Sequence, residues 1–232
     1  MAADSTESNS MDSETPWYLG EYFILSMTLL LGTVGFPFVS RVLGTFAFKS
    51  VLTAMLLAAL YATRDHRILF RVMLVLVVPV IAVNLLVEAD AVYNWLDKLA
   101  LIATSLFLFV ALVAVFVQVI KSSSVTLDII FGAVAVYLLF GAVVAILFQV
   151  IHLVDPGSSL EGMRRAGTAA AGDYQFNDFL YFSFVSLTSL GYGDYAPVGP
   201  AARSLAMFEG VFGQLYIAIL IARLVGLHTS QK

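Results

Sequence analysis

The sequence predicts an all-α transmembrane protein of six spanning helices with one re-entrant hairpin, and three observations carry this. Hydrophobic residues make up 60% of the 232-residue chain and charged residues 12%, with a mean hydropathy of +0.93. Soluble domains run near half apolar and a quarter charged, so this chain lacks the polar surface to cover itself in water. Charge-poor runs then recur at about the 20-residue length that a helix needs to cross a bilayer. Finally, a short apolar stretch near the C-terminus lies between two turn-rich segments and is too brief to cross.

The composition also excludes. Lys+Arg number 12 against 16 Asp+Glu, so no basic footprint for nucleic acid exists. Without cysteine there is no disulfide, thiolate metal site or cysteine nucleophile. The histidines, His66, His152 and His228, cannot build a metal cluster, and no nucleophile–base pair can be assembled. Neither an enzyme nor a bound cofactor is expected.

The first run is Tyr22 to Ser40 and the second Val42 to Thr63, with Lys49 inside it. The third follows Arg71 and ends at Val87, with Ile68 to Phe70 adding a turn. The fourth, Leu99 to Ile120, has Asp97 and Lys98 before it and Lys121 after it. The fifth runs from Ile129 to Val154, and the last, Ala202 to Ala222, carries Glu209 and is followed by Arg223. Residues 1–16 are acidic and rich in Ser and Thr, which predicts a disordered tail rather than a signal peptide with its basic start. Only about ten residues follow the last run, so no attached ligand-binding domain is expected. The domains expected are 17–121, a four-helix unit, and 122–232, the unit that contains the hairpin.

The linker Asp155 to Gln175 is rich in Gly, Ala and Ser and leads into the apolar Phe179 to Thr188; GDYAPVGP then precedes the sixth run. Irregular backbone at membrane depth survives only where protein or water surrounds it, so this loop is the place for function. It reads Thr188-Ser189-Leu190-Gly191-Tyr192-Gly193-Asp194. A dehydrated cation needs stacked oxygen ligands that replace water without holding the ion fast, and backbone carbonyls suit. Aiming successive carbonyls to one side requires alternating backbone conformations, and Gly191 and Gly193 relieve the steric cost at every second position. Ser189 adds a hydroxyl at the inner end. Leu190 and Tyr192 are expected to point away from the axis and wedge against the short helix, and Asp178 or Asn177 to cap its start. One such loop makes a quarter of a ring, so a homotetramer is expected.

TSLGYGD resembles the signature of the potassium channel family, whose usual form is TVGYG. The approach Leu180 to Leu187 resembles that family's aromatic-rich pore helix, Asp194 to Pro197 its outer mouth, and Glu209 to Gly226 its inner helix. The resemblance covers the fifth run to the C-terminus. It implies a six-helix pore-loop cation channel subunit whose selectivity filter is Ser189 to Gly193, with K+ held by the backbone oxygens of Ser189, Leu190, Gly191 and Tyr192. Thr188, Asp194, Tyr181, Phe182 and Glu209 would support the filter, and Gly213 stands where the family often places a bending glycine. The sequence departs from the pattern in three places: Ser189 stands for the usual Thr, Tyr181 and Phe182 for a tryptophan pair, and Val185 for a glutamate of some relatives.

A voltage sensor needs arginines at every third position of its fourth helix, because each charge moved contributes about 2.3 kcal/mol per 100 mV. The fourth run carries no basic residue between Lys98 and Lys121, so voltage gating is not expected. Arg64, Arg67 and Arg71 share a stripe and read as cytoplasmic anchors of the third helix. A filter of this kind opens outward, which places both termini in the cytoplasm and the protein in the cell membrane. The basic residues divide evenly between the two sides and add nothing to that orientation.

Thr33-Val34-Gly35-Phe36-Pro37 superficially repeats the filter, but Pro37 fixes φ negative and a full run precedes it, so it reads as a kinked helix end. Glu209, about two turns into the last helix, either braces the filter through the pore helix or snorkels to the outer boundary. His152 reads as an interfacial polar residue and Pro79 as a packing kink. The expected function is passive, potassium-selective transport, with membrane lipids and permeant K+ as partners. The alternatives are a less selective monovalent cation channel, or a transporter or membrane sensor with a vestigial pore.

Overall fold

The computed structural model describes residues 20–64, 67–86, 95–122, 126–162, 174 and 176–230. The acidic tail, Trp17, Glu88, Asp90 and most of the 155–175 linker lie outside the described residues, as do the side chains of Trp95, Lys98 and Asn84. The chain runs α1 (Glu21–Tyr61), α2 (Arg67–Leu86), α3 (Trp95–Lys121), α4 (Leu127–Val154), β1 (Leu160–Gly162), α5 (Phe176–Leu187), β2 (Tyr195–Pro197) and α6 (Pro200–Ser230). A single 3-10 turn, Pro156–Ser158, precedes β1.

Two features correct the sequence reading. The first and second runs form one helical stretch, α1, of 41 residues, with no break between Ser40 and Val42. A straight helix of that length would extend about 60 Å, twice the hydrocarbon core. Yet Arg64, just past its end, pairs with Glu21 at its start at 2.5 Å. The helical stretch therefore folds back between these ends. The second correction is a two-stranded antiparallel sheet in a chain expected to be wholly helical, with Leu160 opposite Pro197 and Gly162 opposite Tyr195. Strands of three residues leave no alternation to read.

Three described helices are long and apolar enough to cross a membrane, over Leu101–Lys121, Leu127–Val154 and Pro200–Arg223. The core is centred on α4, which touches α1, α3, α5 and α6. Thr126 caps its start, accepting from the Ile129 amide. Helical stripes face it or its neighbours: Phe107, Ala111, Val115 and Val119 are buried along α3, and Met73, Val77 and Val80 along α2. Ile102, Leu106, Phe109 and Val113 of α3, and Val75 and Val78 of α2, are exposed apolar residues, as lipid-facing positions should be. α2 continues through Pro79.

One end of the bundle is tied by polar contacts. Asp128, in the first turn of α4, accepts from the amides of Tyr22 and Phe23 at the start of α1 (3.2 and 3.3 Å). The Tyr22 hydroxyl bonds Gln118. Arg223 of α6 donates to the carbonyls of Val119 (2.6 Å), Ser122 (2.7 Å) and Ile120, covering the carboxyl end of α3. Arg64 pairs with Glu21 and lies over the Tyr61 ring at 4.3 Å, while Arg67 and Arg71 are exposed on α2.

Candidate selectivity filter and its supports

The loop after α5 begins by closing that helix. The Thr188 amide donates to Phe184 and the Ser189 amide to Ser186, both at 3.0 Å. The Val185 carbonyl then receives both Leu190 and Gly191 amides, at 3.0 and 3.4 Å. From there the backbone alternates. Ser189, Gly191 and Gly193 have φ of 58°, 56° and 77°, the only positive values among the described residues. A backbone that alternates in this way can turn successive carbonyl oxygens toward one side. Glycine takes it without penalty, whereas at Ser189 the left-handed region costs about 1–2 kcal/mol. Ser189 is held there by a bond from Gln214 Nε2 of α6 to its Oγ, at 3.0 Å.

The expected wedge of Leu190 and Tyr192 against the short helix is not formed. Both side chains are exposed in the chain, at 58% and 66%. The amides of Ser189, Leu190 and Gly191 are turned to carbonyls of α5. Asn177 and Asp178 also differ from expectation: they lie inside the first turn of α5 rather than ahead of it. An acidic side chain there still suits the positive end of the helix, and Asp178 accepts from the Tyr195 hydroxyl at 2.8 Å.

The outer mouth is a network of phenols and carboxylates. The Tyr181 hydroxyl donates to Asp194 Oδ2 at 2.8 Å, and Asp194 Oδ1 accepts from the Tyr195 amide at 3.1 Å. The Tyr181 phenol is pushed up to about 12, first by desolvation and then by its bond to Asp194. Tyr195 is raised as well, by desolvation and then by Asp178. Both phenols remain donors at neutral pH. Phe182 packs edge-on to Phe148, with ring centroids 5.0 Å apart, so the two expected cuff residues have separate tasks. β2 is anchored from below: Arg203 Nε donates to the Pro197 carbonyl at 3.2 Å. His152 Nδ1 meets Ser159 Oγ at 2.8 Å beside β1.

Behind the loop, α6 and α4 clamp α5. Glu209 and Ser183 are completely buried, and their side chains bond each other. Ser183 also donates to the Gly141 carbonyl of α4 at 2.7 Å. Glu209 thus reaches the pore helix rather than snorkelling outward. The Tyr137 hydroxyl donates to the Leu187 carbonyl at 3.1 Å. Gly213 abuts that same carbonyl: a Cβ there would fall far inside van der Waals contact with the oxygen and 2.9 Å from Leu187 Cδ1. α6 runs unbroken through Gly213, which is a close-approach position in this conformation. Phe140 of α4 stacks on Phe212 of α6 at 3.7 Å. The Tyr216 hydroxyl donates to Ala133 at 2.8 Å.

Sequence reasoning placed the loop, Tyr181, Asp194 and Glu209 in one region, and the structure brings them to the two ends of α5. It missed Ser183, Tyr137, Gln214 and Tyr195, whose partners are mostly main-chain atoms or residues on other elements. Residues 132–229 match the family model described as "Ion channel". The chain is 40% identical over 47 residues to "Potassium channel K1" of Plasmodium berghei (strain Anka), a match covering 20% of this chain and 2% of that protein. It is 31% identical over 80 residues to "Protein LctB" of Geobacillus stearothermophilus, covering 34% of this chain and 59% of that protein. The chain thus spans less than two thirds of either relative. No solved structure matches it.

Proposed function

Taking residues 132–229 as an ion-channel domain of the kind they match, we propose that the protein is a potassium-selective channel that conducts passively across the cell membrane. Four copies would close a ring in which the carbonyls of Ser189, Leu190, Gly191 and Tyr192 replace the water shell of K+. The observation that carries this reading is the alternating φ at Ser189, Gly191 and Gly193, in a loop cradled by α5 and left uncovered by the rest of its own chain. A second feature supports the oligomer. Only 17% of the α6 span is buried, against 72% of the α4 span, so α6 presents most of its surface to something beyond the chain.

Residues 17–121 would form a four-crossing unit, the folded-back α1 contributing two crossings, and 122–232 the pore. This unit has the outline of a voltage sensor without its arginines, so gating is not by voltage. Both termini would be cytoplasmic, because the tied end of the bundle lies opposite the filter mouth. Thr188, Tyr181, Phe182, Asp194 and Glu209 would hold the filter in shape. One observation favours a less selective monovalent cation channel: the Ser189 hydroxyl, the inner ligand in this scheme, is engaged by Gln214.

The test is a planar-bilayer recording of the purified, mass-measured oligomer under bi-ionic potassium and sodium. A reversal potential displaced strongly toward potassium selectivity, from a tetramer, is the expected result. A reversal near zero would establish the less selective channel, and saturating flux without unitary steps would end the channel reading.

A further inference from the structure

We propose that Glu209 is a positioning residue that works as a neutral carboxylic acid, donating its proton to Ser183 and so tying the inner helix, the pore helix and α4 into one hydrogen-bond chain. Its consequence for conduction rests on the channel reading; the protonation state and the bond direction do not.

Ser183 Oγ lies 2.7 Å from the Gly141 carbonyl oxygen, which can only accept, so the single hydroxyl hydrogen belongs to that bond. The same Oγ also bonds Glu209 Oε1. A carboxylate has no hydrogen to offer, and two acceptors facing each other would repel. The proton between Glu209 and Ser183 must come from the carboxyl group, giving Glu209 O–H to Ser183 O–H to Gly141 C=O.

The surroundings agree. Glu209 and Ser183 are buried to 0% exposure, and the Arg64–Glu21 ion pair is at the opposite end of the bundle. From α4 the titratable group facing Glu209 is Tyr137, and its hydroxyl donates to Leu187. On α5, Asp178 and Tyr181 are engaged at the outer mouth with Tyr195 and Asp194. On α6, Arg203 bonds Pro197 and Tyr216 bonds Ala133. Among the described residues no cation is placed against Glu209, and an uncompensated charge in an apolar interior is far costlier than the acid. The hydrogen-bond chain also sits where it matters. Ser183 is one turn before Leu187, and Glu209 one turn before Gly213, so it fixes the same α5–α6 contact as the close approach beside it.

Infrared difference spectroscopy of the wild-type oligomer against Glu209→Gln reads the proton directly. The expected result is the carbonyl stretch of a protonated carboxylic acid at neutral pH, absent in Glu209→Gln and replaced by a carboxylate band on alkaline titration. A carboxylate band at neutral pH would overturn the proposal. Because that reading needs no current, a wild type that fails to conduct would sink the channel reading and leave this one intact. Function is compared in the same preparations. Glu209→Gln keeps a donor amide and is expected to hold potassium flux within about twofold, with no alkaline loss. Glu209→Leu and Ser183→Ala lose a buried partner and are expected to reduce flux and thermal retention of the oligomer about tenfold. Glu209→Gln as impaired as Glu209→Leu, or wild-type flux that ignores alkaline pH, would refute the relay.

Discussion

Adding one methyl group at Gly213 separates a packing glycine from a hinge glycine. In Gly213→Ala the new Cβ meets the Leu187 carbonyl oxygen well inside contact distance and Leu187 Cδ1 at 2.9 Å. The obstacle is main chain at the end of α5, already held by the Tyr137 hydroxyl, so it cannot rotate away. The inner helix must move outward instead, and overpacking of this kind costs about 1–3 kcal/mol per subunit. Opposing it is the better helix propensity of alanine, about 1 kcal/mol. Gly210, one turn earlier on α6, supplies the control. Its nearest atom is the Ser186 carbonyl at 3.8 Å, ordinary contact, so Gly210→Ala keeps the propensity gain without the clash. The assay is thermal retention of the oligomer by size exclusion in detergent, with potassium flux from vesicles alongside. Gly213→Ala should melt below wild type and Gly210→Ala at or above it, so the two differ by the overpacking cost. Equal melting of the two would refute the close-approach reasoning. Unchanged melting together with an altered open fraction would instead make Gly213 a bending point.

Two further outcomes follow from the network at the mouth and the tie at the other end. The Tyr181 phenol is raised, so its bond to Asp194 is fully present below pH 10, its ordinary range, and is lost as pH climbs through about 12. A phenolate absorbance titration of wild type minus Tyr181→Phe should show one group with its midpoint near 12, and a midpoint near 10 would contradict the bond. Arg223→Ala strips the donors from three carbonyls at the end of α3. Because Arg223 is only partly buried, the loss is about 1 kcal/mol, and hydrogen exchange over residues 119–122 should rise about fivefold. Unchanged exchange there would mean that water replaces the arginine without cost.

What was legible in the sequence was what one residue's own chemistry dictates. Gly191 and Gly193 declare a backbone that side chains resist, and the structure adds Ser189 to the same alternation at a cost that its identity alone did not reveal. Spans could be read wherever charges bound them, as at Lys98 and Lys121 around α3. Charge says nothing, however, about whether helix continues from one apolar run into the next, which is why two runs correspond to the single stretch α1. Partners were the illegible part. Ser183 and Tyr137 act on the carbonyls of Gly141 and Leu187, and a peptide oxygen has no residue type to recognise. Gly213 was noticed for its spacing from Gly193, but the reason for a missing side chain lay in the neighbour across the helix interface. Leu190 and Tyr192 are expected to wedge against the short helix, and within the single chain they stand exposed.

That bareness bears on how the proposed ring would come together. Met207, Phe208, Val211 and Leu215 on α6 are exposed apolar side chains that acyl tails solvate as readily as protein would, so a solitary subunit in a bilayer loses little by leaving them open. The peptide carbonyls from Ser189 to Tyr192 would have no such recourse, since hydrocarbon offers them nothing to bond. Oligomerisation would then be driven at the short loop rather than along the long helix, with water and ions admitted to the axis as an unmet polar demand is relieved.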